Sequence, residues 1–164
     1  MEKQVVITAD DEIKIMDYTG HKSISEGVDG GIEHFYTMEV PPMIVPEGKI
    51  DMWCDESFLH NSKKTRINAI CSALSQEVIY GDVVLTVYCG NGESRGFEYV
   101  EEVNEDGSVE EGICETWLCE DLFLRLKNDM NKQGLLEYNH KTFDRESMDT
   151  IKMDKIDKQK GEDR

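Results

Sequence analysis

No apolar run in this 164-residue chain approaches the ~20 residues that a membrane-spanning helix needs, so such a span is excluded. Three prolines and 13 glycines exclude a collagen-like or Pro/Gly-rich chain. Basic residues are scarce: 18 Lys and Arg stand against 35 Asp and Glu, for a net charge of −17. Nonspecific nucleic-acid binding runs on counterion release by Lys and Arg, and this chain lacks the surplus. Phe35, Tyr36 and Trp53 lie on expected strands without interleaved bases, which makes a poor stacking platform for single strands.

Catalytic and metal signatures are missing too. There is no CxxC, no HExxH and no DxDxDG loop, and Gly92-Glu93-Ser94-Arg95-Gly96, which spells GxSxG, falls in a stretch that reads as a hairpin turn rather than a strand-to-helix elbow. Cys89 to Gly96 contains GxG, but no GK[ST] follows, and the segment reads as a hairpin turn rather than a phosphate cradle. His21, His34, His60 and His140 have no histidine or cysteine partner three or four residues away. Asp55, Glu56 and His60 are the nearest polar cluster, and they read as a solvated loop. The sequence therefore implies no cofactor, no metal and no catalytic residue. Cys54, Cys71, Cys89, Cys114 and Cys119 are odd in number, and MEKQVVITAD has no signal-peptide core. Both features point to free thiols in a reducing cytoplasm, with all five cysteines acting as small buried hydrophobes.

What the chain has in abundance is acid, and unevenly. Residues 98 to 121 carry ten acids and no base, more than half of the net charge. Glu98, Glu101, Glu102, Glu105, Asp106, Glu110, Glu111 and Glu115 make this stretch a candidate interaction surface for a basic protein partner.

Hydrophobic patterning predicts an α+β domain: a mixed or antiparallel sheet of four to six strands with two main helices. Val5 to Ile7 and Ile13 to Ile15 read as an opening β-hairpin. Ser23 to Val28 reads as a short helical turn, ended by Gly30-Gly31 through glycine's backbone freedom. Ile32 to Val40 is a strand stopped by Pro41-Pro42. Lys49 to Asp55 alternates, with Ile50, Met52 and Cys54 on one side and Asp51, Trp53 and Asp55 on the other. Thr65 is placed to cap a helix starting near Arg66, with Ile67, Ile70, Cys71 and Leu74 as its apolar stripe. Val78 to Tyr88 reads as a central strand, and Gly96 to Val103 as an edge strand pairing back. The core domain is read as 1–103, followed by an acidic linker at 104–112. Ser108 with Glu111 has capping-box spacing. An amphipathic helix follows over 113–138, with Leu118, Leu122, Leu126 and Met130 as its stripe and Gly134 as its stop. The polar stretch 139–164 reads as a disordered tail.

Gly30-Gly31-Ile32-Glu33, the strand ending Cys54-Asp55-Glu56, Asn68-Ala69 on a helix, and Gly81-Asp82-Val83-Val84 occur in one order. Over about residues 3–90 this resembles the DUF3846 family, a small domain of unknown function met in phages, plasmids and bacteria. The resemblance implies a mobile-element accessory protein in a bacterial cytoplasm. On the physical reading of the same residues, Glu33, Asp55, Glu56 and Asn68 would be polar groups placed near one another if the two strands and the helix start converge.

Three functions follow as expectations. The first is a non-enzymatic binding protein for a protein partner with a basic surface, with no direct nucleic-acid and no membrane contact. The second is a DNA mimic that occupies the groove of a host nuclease or repressor. The third is a domain binding a nucleotide or metabolite around Glu33, Asp55, Glu56 and Asn68.

Overall fold

Glu2–Ile7 forms β1 and Ile13–Asp17 forms β2, paired antiparallel as the opening hairpin. This comes from a computed structural model, which describes residues 1–100, 105–107 and 114–145 of the chain. Next come helix α1 (His21–Val28) and strands β3 (Ile32–Glu39) and β4 (Lys49–Asp55). Helix α2 (Ala69–Ser75) precedes β5 (Val83–Gly90), β6 (Glu93–Arg95) and β7 (Phe97–Glu98). Two helices, α3 (Glu115–Lys132) and α4 (Leu135–Phe143), close the described chain.

The architecture is α+β with an open, wholly antiparallel sheet. Among the described residues, seven strands and four helices exceed the four to six strands and two main helices expected. The surplus strands are short, and α4 runs past residue 138 into the stretch expected to be tail. The main path runs β2-β1-β5-β4-β3.

Period-two alternation divides the core between the two sheet faces. Val5, Ile7, Ile50, Met52, Cys54, Val83 and Leu85 face α2 and α3, where Ile70, Cys71, Cys119 and Phe123 meet them. Val6 and Val84 face α1 and pack on Ile24 and Val28. The alternation read in Lys49 to Asp55 is thus present, and β5 is a central strand buried on both faces.

Three local expectations are corrected. Gly30 and Gly31 do not supply the left-handed residue that ends α1; Asp29 does, at φ 55°. Gly30 is needed for space instead, against the buried Asp55, whereas the Glu56 side chain near Gly31 is exposed and free to move aside. A Cβ on Gly30 would lie 2.6 Å from Asp55 Cγ, and one on Gly31 2.7 Å from Glu56 Cδ. Thr65 does not cap a helix at Arg66. Residues 66 to 68 are drawn into extended structure by the Ile67–Tyr80 bridge and by Asn68 N donating to Ile79 O at 2.7 Å. The helix therefore starts at Ala69, capped by Asn68.

Phe97 and Glu98 do not form the expected edge strand, whose residues 101–103 lie outside the described residues. β1 and β5 pair over Val5–Leu85 to Ile7–Val83 and then diverge. β6 takes up the free side of β5 and β7 the free side of β1, so residues 93–98 fill the split. Phe97 is fully buried there.

α3 carries its expected stripe, with Leu118, Leu122, Leu126 and Met130 against the core. Gly134, at φ 70°, ends it as read. The polar stretch expected to be tail from residue 139 nevertheless continues α4 to Phe143. Leu136 and Phe143 dock α4 on the core, and polar side chains add to that hold. His140 Nε2 lies 2.9 Å from Asp11 Oδ2 and His140 Nδ1 lies 3.3 Å from Asp144 Oδ1, while Asp144 Oδ1 accepts from Ile67 N at 2.8 Å. The rest of the expected tail lies outside the described residues.

Candidate functional site

Glu33, Asp55, Glu56 and Asn68 do not converge on one site. Glu33 pairs with Cys54, so it shares the α2 face of the sheet, whereas Asp55 alternates to the α1 face. Among the described residues no side-chain hydrogen bond or ion pair joins any two of the four. Asn68 is fully buried, and its amide is consumed. Oδ1 accepts from Cys71 N at 3.1 Å, while Nδ2 donates to Ile7 O at 2.8 Å and Gly81 O at 3.0 Å. Asp55 is 2% exposed and organises the next loop, accepting from Ser57 N at 3.0 Å and Asn61 Nδ2 at 3.3 Å. Lys64, in the same loop, is buried and donates to Val28 O at 2.6 Å, so its charge sits on the C-terminus of α1 where the helix dipole favours a cation. Glu33 and Glu56 remain exposed.

The acidic segment also divides. Glu101, Glu102, Glu110 and Glu111 lie outside the described residues, as does the Ser108–Glu111 spacing. Glu98 is exposed at the end of β7, and Glu105 and Asp106 are exposed in a turn. Glu115 is spent internally. Arg95 donates to Glu115 at 2.7 and 2.9 Å, to Glu47 at 3.0 and 2.8 Å, and to Gly96 O at 3.0 Å. All five guanidinium protons are thereby used. Arg95 holds the Glu47 carboxyl below its ordinary range, against the opposing effect of burial.

A different acidic surface emerges around β3. From Glu26 to Glu56 the chain has eight carboxylates and one base, Lys49. Glu47, Asp51 and Asp55 have internal partners. Glu26, Asp29, Glu33, Glu39 and Glu56 are exposed and form no ion pair among the described residues. The fold gathers them at the end of α1 and along the β3–β4 hairpin. The charge bias of 26–56 is visible in the sequence; its display along a sheet margin is not.

β3 is an outer strand, with β4 as its partner among the described residues. On the α1 face, His34, Thr37, Asp51, Trp53 and Thr86 form a polar patch beside α1, and Trp53 joins it to the helix by packing on the Ile24–Val28 cluster. Thr37 Oγ1 donates to Asp51 Oδ1 at 2.7 Å, and His34 Nε2 lies 2.9 Å from the same oxygen. Those two partners are what allow Asp51, only 5% exposed, to lie buried on a sheet face. Trp53 Nε1 donates to Thr86 Oγ1 at 2.8 Å, and the indole meets the His34 ring edge-on at 5.4 Å. On the α2 face, Tyr36, Thr37, Met38 and Glu39 of β3 and Leu74 of α2 line a groove of about 460 Å³. None of Glu33, Asp55, Glu56 or Asn68 lines it.

The thiols are not poised for attack. Burial pushes the Cys54 thiol up to about 12, and it pushes Cys71 and Cys119 well above the ordinary thiol range. Cys89 is exposed, which corrects the expectation that all five are buried. Its thiol is also raised, by partial burial and by the Glu47 charge. A disulfide reagent at neutral pH is therefore expected to titrate one thiol per native chain, slowly, and five in denaturant. Two or more fast-reacting native thiols would contradict this packing. Among the described residues no group of three or more His, Cys, Asp or Glu is placed to hold a metal ion, and no helix is long and apolar enough to cross a membrane.

No family model matches this chain, and neither a curated protein nor a solved structure matches it.

Proposed function

We propose that this chain is a binding protein, not an enzyme, and that it engages a protein partner with a basic surface through the margin of the sheet formed by β3. The carrying observation is the row of exposed carboxylates without described ion pairs (Glu26, Asp29, Glu33, Glu39 and Glu56) beside a strand edge that β4 leaves open. Such a field attracts cations over several ångströms and repels phosphate backbones. It supports a protein partner over a nucleic acid. The DNA-mimic reading loses support because Glu115, a member of its expected ridge, is neutralised by Arg95.

The test uses cross-linking mass spectrometry on a cell lysate, comparing the native chain with the double variant Glu33→Lys/Glu39→Lys. Both positions are exposed, so the fold is expected to tolerate the change. The expected result is a basic protein cross-linked to residues near β3 by the native chain and lost with the variant. Retention by the variant, or an acidic partner, would refute the proposal.

A further inference from the structure

We propose that the partner docks as an added β-strand on the outer edge of Tyr36 to Glu39, and that the docking segment alternates basic and apolar residues. This deepens the reading above and rests on it.

The first support is the hydrogen-bond phase of β3. Val40 N donates to Gly48 O at 3.0 Å, and Glu56 N donates to Gly31 O at 2.9 Å. In an antiparallel ladder the residues bonded to one neighbour recur every second position. Counting from Val40 through the Met38–Ile50 and Tyr36–Met52 pairs, those residues face β4. Thr37 and Glu39 therefore direct their N–H and C=O groups away from the sheet. Counting from Gly31 through Glu33, the same holds for Ile32 and His34. The bulge at Phe35 separates the two halves, so a straight strand can follow only one of them. The Tyr36–Glu39 half is the one that borders the 460 Å³ groove.

The second support is charge. No Lys or Arg occurs from Glu26 to Gly48, and Glu33 and Glu39 flank the docking half. A second copy laid antiparallel on β3 would bring glutamate towards glutamate, which is unfavourable across a strand pair. A basic strand meets the opposite sign. The other outer strand, β2, is shorter, and Lys14 lies on it.

The third support is the difference between the two faces. Side chains of an added strand alternate, and the pocketed face selects among them. On the α2 face they land on the half-buried Tyr36 and Met38 beside Leu74, which suits apolar groups. On the α1 face they land beside Thr37 and Glu39, which suits Lys or Arg.

The probe is a capped octapeptide alternating lysine and valine, with a control of the same sequence N-methylated at alternate residues. Fluorescence anisotropy reports binding at low and high salt, and amide hydrogen exchange reports where the peptide sits. Strand addition predicts binding that weakens with salt, loss of binding on methylation, and exchange at Thr37 and Glu39 slowed on the order of tenfold. Met38, already bonded to β4, should change little. Equal binding of both peptides would overturn strand addition and leave the basic-partner reading standing. Failure of both peptides to bind would overturn strand addition alone, since the cross-linking comparison judges that reading separately. A dimer that protects Thr37 and Glu39 without peptide would also overturn it, because the edge would then be satisfied by a second copy.

Discussion

Replacing Asn68 by alanine is expected to destabilise the fold by about 3–7 kcal/mol, the sum of about 1 for a lost helix cap and about 1–3 for each of two buried carbonyls that lose its amide donor. The carbonyls are those of Ile7, at the end of β1, and Gly81, just before β5. The cap bond is the one to Cys71 N. One fully buried side chain therefore joins a helix start to two strand ends. A domain of ordinary stability has only about 5–15 kcal/mol in total, so the variant should melt at least about 10 °C lower. Asn68→Asp keeps the cap acceptor but loses both donors and turns a carboxylate towards two carbonyl oxygens, so it should be at least as unstable as the alanine variant. Urea unfolding of the three proteins, with an unchanged denaturant slope, is the measurement. A loss below about 1 kcal/mol for Asn68→Ala would show that these bonds are not holding the strands to the helix.

The second large effect is expected at Arg95, which ties the β3–β4 turn to the start of α3 through Glu47 and Glu115. Arg95→Met leaves two carboxylates facing each other without a cation. Breaking a buried pair costs about 3–5 kcal/mol, and these side chains are partly exposed, so about 3 is expected. Arg95→Lys should recover less than half of that, because an ammonium cannot make two parallel pairs of bonds.

The pH dependence carries a sign. The folded Glu47 carboxyl lies below its ordinary value of 4.5, chiefly because of the hydrogen bonds from Arg95. A depressed carboxyl stabilises the fold above its unfolded value, and that contribution is lost as pH falls through the folded value. The gap between native and Arg95→Met proteins should therefore be widest near neutral pH and should narrow below about pH 4.5. A gap that stays constant into acid would mean that the Glu47 bond contributes nothing to stability.

Much of the sheet was legible from short-range pattern. The apolar runs in β1 and β5, and the alternation in β4, state which faces are buried whatever the strands pair with, because side chains on a strand point to opposite sides in turn. Gly134 marked the end of α3 for an equally local reason, a backbone angle that glycine adopts without strain. The start of α2 was misplaced because Thr65 and Asn68 are both chemically competent caps. Only the long-range pairing of Ile67 with Tyr80 decides between them. The place of β7 was misjudged for a similar reason: Phe97 looks like any strand residue, and whether it lies at an edge or in a split depends on where β1 and β5 diverge. The second half of α4 escaped detection because it carries one apolar residue, Phe143, and is otherwise held by His140 meeting Asp11, 129 residues away in sequence.

The candidate site shows the same division. The surplus of acid was plain from composition, and so was its consequence for nucleic acid. The expected focus at 98–121 was weakened by Arg95, which neutralises Glu115 from twenty positions upstream. Residues 26–56 carried less conspicuous charge, yet their carboxylates are the ones exposed along an open strand.

By itself, the sequence determined an acidic α+β chain, the faces of its strands and the stripe of its long helix, because each depends on neighbours within a few residues. Only the tertiary structure decided which strand lies outermost, which asparagine joins helix to sheet, and which carboxylates are spent and which displayed. Those outcomes depend on groups far apart in the chain meeting in space, and a carboxylate beside a guanidinium differs physically from the same carboxylate beside water.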